Sequence, residues 1–146
     1  MAVFVQLQGL SEVTGTLRGL PAALEHKTIL RMSQVAFDRA QEGAGRHNRT
    51  GALFQSLYNR SIPKGREVGH DPDRAPHAVF VQLGTRPHEI RPSKKKALRW
   101  VSGSNFMFAG KVNHPGYRGD AYLIDAATLA VRQFAQIVDD AFKEST

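Results

Sequence analysis

The chain has 146 residues, no cysteine and a formal net charge of +7. Without cysteine it can form neither a disulfide bond nor a thiolate metal site, and no apolar run approaches the ~20 residues of a membrane-spanning helix. This length predicts one domain, residues 1–146, and the first ten residues, MAVFVQLQGL, lack the pattern of a signal peptide.

The positive charge is concentrated in the middle of the chain. Residues 46–118 contain 14 Lys and Arg against 4 Asp and Glu, whereas the remaining residues carry a net negative charge. A field of one sign on part of a protein attracts polyanions. Charge alone leaves two interpretations open, a nucleic-acid partner or a basic surface that serves only solubility.

Two elements are predicted in the N-terminal third. Alternating side chains in residues 2–8 predict a strand, and Pro21 suits the first turn of a helix that reaches about Gln41. The apolar arc of this helix is wide, so we expect it to pack on two sides. One side is a sheet, and the other is a second helix of this chain or a second subunit. A subunit interface would include Ile29, Leu30, Met32, Val35 and Phe37.

Short elements are predicted in the middle of the chain. Thr50 suits the N-cap of a helix over TGALFQSLYN, and residues 61–69 predict a strand weakened by Pro63. The segment HAVFVQLGT, residues 77–85, predicts the strongest strand. Its VFVQL repeats residues 3–7, which we interpret as two strands of one sheet with the same β-favouring residues. KALRWVS and NFMFA predict further strands, with Trp100 in the core.

The last predicted element is an amphipathic helix over residues 121–143, with apolar side chains on one face and polar ones on the other. The expected fold class is α+β. An antiparallel sheet of about four strands would carry the long N-terminal-half helix and the C-terminal helix. Extended loop segments are expected at about 43–50 and at 84–96, the latter being a long central loop.

Catalytic chemistry is not evident in the sequence. His70, Asp71, Asp73 and His77 lie within eight residues, but intervening prolines prevent a helix that could place them on one face. We interpret them as a solvated loop, with a metal-dependent nuclease as the alternative. No nucleophile elbow, phosphate-binding loop or zinc-protease motif is present. We therefore expect no enzyme activity and no cofactor.

The segment GTRPHEIRPSKKKALRW, residues 84–100, is the most basic stretch. Its two Arg-Pro pairs hold the backbone extended, because proline restricts itself and the residue before it. A strip of this kind can contact phosphates without reading bases. The candidate DNA-channel or assembly residues are Arg86, Arg91, Lys94, Lys95, Lys96 and Arg99.

Several short motifs occur in a characteristic order: TGAL at 50–53, VFVQLGTRP at 79–87, IRP at 90–92, KKAL at 95–98, HPG at 114–116 and AYL at 121–123. This succession resembles the small neck or tail-completion proteins of long-tailed bacteriophages. The resemblance covers roughly residues 50–127, more than half of the chain. His114, Pro115 and Gly116 form the motif turn.

The resemblance implies a structural virion protein, assembled in the host cytoplasm and located at the head–tail junction. Such a subunit forms a homo-oligomeric ring, expected to be a hexamer, that joins the tail to the head. Its partners would be a head-closure or connector protein and a tail-terminator or tail-tube protein, with phage double-stranded DNA passing through the lumen. The alternative is a stand-alone, sequence-nonspecific DNA-binding protein that uses the basic segment.

Overall fold

The computed structural model describes residues 4–6, 19–47, 49–63 and 65–144, which form an α+β fold. The helices are α1 (Ala22–Gly45), α2 (Ala52–Gln55), α3 (Ala78–Leu83), α4 (Tyr122–Arg132) and α5 (Phe134–Lys143). The strands are β1 (Phe4–Gln6), β2 (Leu57–Ile62), β3 (Gly65–His70), β4 (His88–Ile90), β5 (Leu98–Ser102), β6 (Asn105–Ala109) and β7 (Val112–His114).

The seven strands form three small antiparallel sheets rather than the single sheet of about four strands that we predicted. The first sheet has the order β1-β3-β2, while β4 pairs with β7 and β5 pairs with β6. Residues 61–69, predicted as one strand, belong to a hairpin. Pro63 follows the end of β2, because a residue without an N–H group is better placed in a turn than within the ladder.

Helix α1 lies between the first sheet and the C-terminal helices. The prediction that it packs on two sides is therefore confirmed, with a second helix of the same chain on the second side. Buried side chains along α1 include Met32, Ala36 and Ala40, and they join Leu123 and Ala126 of α4 in the core. The small alanines allow the two helix backbones to approach closely.

Helix α1 continues beyond its predicted end, through Gly43 to Gly45. Gly43 faces the ring of Tyr122, and a Cβ at this position would lie 2.4 Å from the Tyr122 Cβ. The glycine therefore serves close packing instead of ending the helix. Just beyond, Asp120 accepts hydrogen bonds from Arg46 and lies 2.7 Å from His47 Nε2, which fastens the end of α1 to the start of α4.

The prediction of a strand over residues 77–85, the strongest strand prediction in the chain, is wrong. Residues 78–83 form helix α3 instead. Ala78, Val79 and Gln82 are buried at helical spacing, whereas Phe80 and Leu83 are exposed. The other copy of VFVQL contains the strand β1. The tripeptide FVQ is thus a strand at residues 4–6 and part of a helix at residues 80–82, which shows tertiary packing overriding local propensity.

Two smaller corrections concern helix ends. The N-cap of α2 is Gly51 and not Thr50 as predicted, and the φ of 82° at this position costs glycine little. Thr50 Oγ1 accepts a 3.4 Å hydrogen bond from the Ala52 N–H. The C-terminal helix is interrupted at Gln133, so that α4 and α5 are separate helices. The predicted extended segment at 43–50 is helical as far as Gly45.

Candidate functional site

Residues 84–117, which we call the arm, are the part of the fold least covered by the remainder. Strands β4 and β7 form its shaft, and β5 and β6 form its tip ribbon. Among the described elements, each of these strands makes substantial contact only with its pairing partner. The predicted central loop is therefore a β-structured arm, in which residues 91–97 connect the shaft to the tip.

The arm begins and ends where two chain segments cross, which we call the root. Thr85 and Tyr117 exchange backbone hydrogen bonds of 2.8 and 2.9 Å. Gly84 has a φ of 77°, and a Cβ on it would lie 2.4 Å from the Tyr117 carbonyl oxygen. Gly116 has a φ of 87°, and its Cβ would lie 2.6 Å from the Thr85 oxygen. Only glycine fits both the conformation and the space here.

The HPG turn also stabilises the root. Nδ1 of His114 accepts a 3.0 Å hydrogen bond from the Gly116 N–H, which closes the turn. The His114 ring stacks on His88 of the facing strand, with ring centroids 5.0 Å apart. His88 in turn donates from Nδ1 to the Arg86 carbonyl oxygen at 2.8 Å. The motifs GT and HPG, far apart in sequence, therefore meet in one structural junction.

The tip ribbon exposes apolar side chains on both faces. Trp100 and Met107 are paired on one face, and Val101 and Phe106 on the other, next to Phe108. Their exposed fractions range from 41% for Trp100 to 64% for Val101 and Phe108. The prediction that Trp100 lies in the core is thus wrong, because both faces of β5 and β6 lie outside the core.

All six predicted basic residues of the arm are exposed: Arg86, Arg91, Lys94, Lys95, Lys96 and Arg99. Arg91 and Lys111 pair with Glu89 on the shaft. The guanidinium of Arg99 lies 4.5 Å from the centroid of the Phe106 ring, a cation–π contact. The three lysines have no acidic partner within the described residues. The tip therefore combines apolar faces with unneutralised positive charge.

The five residues predicted for a subunit interface are spread around α1. Met32 is buried in the core, and Val35 and Phe37 pack against it from its edge. Leu30 is 43% exposed, while Ile29 is partly buried. The structure thus covers most of the apolar arc within the chain itself. Of this set, Leu30 offers the most accessible side chain to a second subunit.

His70 belongs to a buried polar cluster, not to the solvated loop that we predicted. Its Nδ1 lies 2.7 Å from Ser56 Oγ and its Nε2 lies 2.6 Å from the Tyr122 hydroxyl oxygen. The ring is 1% exposed, because His70 ends the central strand β3 beneath α4. Burial lowers the pKa of His70 to about 4 and raises the pKa of Tyr122 to about 12.

The proton arrangement of this cluster is that of a structural network. With Ser56 Oγ donating to the Leu53 carbonyl oxygen at 2.7 Å, we assign the His70 proton to Nδ1, which then donates to Ser56. Nε2 then accepts from Tyr122. A general base has to accept the proton of its nucleophile, and this tautomer does the reverse. No sequence pattern indicated the cluster, because Tyr122 lies 52 residues from His70 along the chain.

Asp71, Asp73 and His77, the other members of the predicted cluster, lie in the turns after β3. Asp71 accepts the Asp73 N–H at 3.0 Å and lies near Arg74. Within the described ranges, no three side chains of the metal-binding types converge on a common point. In the same residues, no helix combines the length and hydrophobicity that crossing a membrane requires.

Comparison with protein-family models, with curated proteins and with solved structures found no match to this chain.

Proposed function

We propose that this chain is a structural subunit of a long-tailed bacteriophage virion, forming a homo-oligomeric ring at the head–tail junction. The observation that carries the proposal is the arm, whose tip exposes two apolar faces beside unneutralised lysines. Contiguous exposed apolar surface of this kind marks a protein interaction site. An assembly protein needs such a surface, whereas a stand-alone monomer would keep it in contact with water.

The convergence of the motifs at the root supports the same proposal. The GT and HPG motifs carry the resemblance to neck and tail-completion proteins, and both fix the base of the arm. Their residues are therefore required by a structural feature of this chain. In the proposed ring the arm contacts a neighbouring component, and the basic side chains face the DNA channel or a partner protein.

Virion composition tests this function directly. Phage particles purified by density gradient should contain the protein, and gold-labelled antibody should mark the junction between head and tail. A deletion of its gene should yield full heads and complete tails that remain separate. A protein detected in the host lysate and missing from purified particles would refute the proposal.

Substitution of Arg86 and Arg91 by alanine should impair head–tail joining more than folding. Both side chains are exposed, and the pair of Arg91 with Glu89 lies at the surface, so we expect unfolding free energies within about 0.5 kcal/mol of wild type. Joined particles are counted by electron microscopy after complementation. Arg39→Ala, which removes an exposed arginine from α1, is the control. Normal joining by the double variant would contradict the assigned role of the arm.

A stand-alone DNA-binding protein is the second candidate, favoured by the exposed Lys94, Lys95 and Lys96. It predicts duplex binding without sequence preference. The slope of log affinity against log salt should fall by about one unit for each phosphate contact removed. A gel-shift assay of the purified chain at moderate salt, compared with the triple alanine variant, tests this. The absence of a complex would eliminate this candidate and leave the ring proposal intact.

A further inference from the structure

The tip ribbon has features of a surface that is covered on assembly. A two-stranded ribbon is marginally stable in water without a third element against it. Within the part of the chain that the structure describes, β5 and β6 pair with each other alone, so their outer edges offer unpaired backbone groups as well. Val101, Phe106 and Phe108 present a continuous apolar face between 57% and 64% exposed. Soluble monomers rarely expose large contiguous apolar patches, and those that do usually use them as interaction sites.

The charge of the arm indicates which kind of partner surface would cover the tip ribbon. Residues 84–117 carry seven Lys and Arg and one acid, Glu89, which already pairs with Arg91 and Lys111. The partner surface should therefore combine apolar side chains with carboxylates, since opposite charges steer association and fix its orientation.

The C-terminal helices of the chain supply such a surface. Ile124 of α4 is 59% exposed, although it lies on a helix whose other large side chains are mostly packed inward. The next residue, Asp125, is exposed and has no ion pair or side-chain hydrogen bond among the described residues. On α5, Asp139 already pairs with Lys143 and Asp140 accepts a 2.9 Å hydrogen bond from Gln136, so the charge complement to the arm is Asp125. By contrast, Lys27 and Arg31, close in sequence to exposed Leu30 of α1, share the carboxylate of Glu144 between them.

We infer that the tip ribbon of one copy docks on the surface of α4 around Ile124 and Asp125 of the next copy. The two patches differ, so the contact is head-to-tail, and repeating it produces a closed ring or a filament. This inference rests on the proposed ring and identifies its subunit contact. The arm thereby links neighbouring subunits of one ring, and α1 needs no second-subunit contact.

Engineered cysteines test the contact on a clean background, because the chain has no cysteine. Val101→Cys and Ile124→Cys are purified separately, mixed and oxidised. We expect a disulfide-linked dimer at twice the 16.1 kDa chain mass, about tenfold more abundant than from Ser93→Cys mixed with Ile124→Cys. Ser93 is exposed in the connector between the shaft and the tip ribbon, outside the pairing of β5 with β6. Equal yields from the two mixtures, or dimers of Val101→Cys alone, would overturn the inference.

Trp100, the single tryptophan, provides a second measurement on the cysteine-free chain. Its emission should shift to shorter wavelength as protein concentration rises, and Asp125→Lys should abolish the shift without altering the circular dichroism spectrum. A shift unchanged by Asp125→Lys would refute the docking. So would a shift that occurs only with vesicles of anionic lipid, since it would indicate a membrane as the partner.

The tests of function and of contact are separable. A protein found at the head–tail junction whose cysteine pairs fail to cross-link would keep the proposed function and lose this interface. A chain that cross-links as expected and is missing from virions would keep the interface and lose the function.

Discussion

The buried cluster around His70 makes the stability of the fold depend on pH. A pKa lowered from 6.5 to about 4 corresponds to about 3 kcal/mol of unfolding free energy. Because the folded pKa is the lower one, the unfolded chain binds the proton first as pH falls. The contribution is therefore complete above pH 6.5 and is lost as pH falls from about 6.5 to about 4.

His70→Asn removes this titration while its amide can still donate to Ser56. Urea unfolding of wild type and variant is measured between pH 4 and pH 7.5. The stability advantage of wild type should be largest near neutral pH and shrink by about 3 kcal/mol toward pH 4. His26→Asn, which replaces an exposed histidine on α1 by the same residue, is the matched control substitution. The difference between wild type and variant also cancels most of the carboxylate titration at the acidic end.

Nuclear magnetic resonance of the imidazole protons measures the same property directly. His70 should stay neutral down to about pH 4, with its proton on Nδ1. Titration near 6.5, or a proton on Nε2, would refute the hydrogen-bond directions that we assign. It would also reopen the question of chemistry at Ser56, because a histidine that accepts the serine proton is the arrangement of a nucleophilic site.

Glycine substitutions provide the remaining predictions. In urea unfolding, Gly43→Ala should destabilise the fold by about 1–3 kcal/mol, because the new Cβ overlaps with Tyr122. Gly45→Ala is the control, since a Cβ there meets no atom within 4 Å. It should be neutral or should stabilise the fold by up to about 1 kcal/mol. Equal effects would contradict the packing of α1 on α4. Gly116→Ala should cost about 1–3 kcal/mol because of its positive φ and the adjacent backbone. Gly110→Ala, in open space, should leave the melting temperature unchanged, and a harmless Gly116→Ala would argue against the root.

Amphipathic patterns that extend over many residues were predictable from the sequence. The apolar arc of α1 and the amphipathic face of the C-terminal helices each extend over several turns. Their helical periodicity is therefore recognisable even where single residues depart from it. The strands β5 and β6 were also located correctly. The exposure of these strands was not predicted. The alternation of side chains shows which of them share a face, but it does not show whether anything covers that face.

Short apolar segments were the main source of error. VFVQL has the residues of a strand, yet at 79–83 it is helical, because Ala78 and Gln82 are buried one helical turn apart and Gly84 ends the helix. A segment of five residues is too short to distinguish the period of a helix from that of a strand. Contacts with distant segments decide which of the two structures forms. The cluster of His70 was missed for the same reason, since Tyr122 lies 52 residues away.

The arm separates the effects of mutations on folding from their effects on assembly. The core of α1, the first sheet and α4 includes no side chain of the tip ribbon, so changes at Trp100 or Val101 should leave the stability of this core nearly intact. Changes at the root affect both, because Gly84 and Gly116 hold the arm against the segment that leads into α4. A variant that folds normally but fails to assemble therefore points to the tip, whereas combined defects point to the root. Exposed apolar side chains outside the core contribute little to folding, and in our proposal a binding partner covers them.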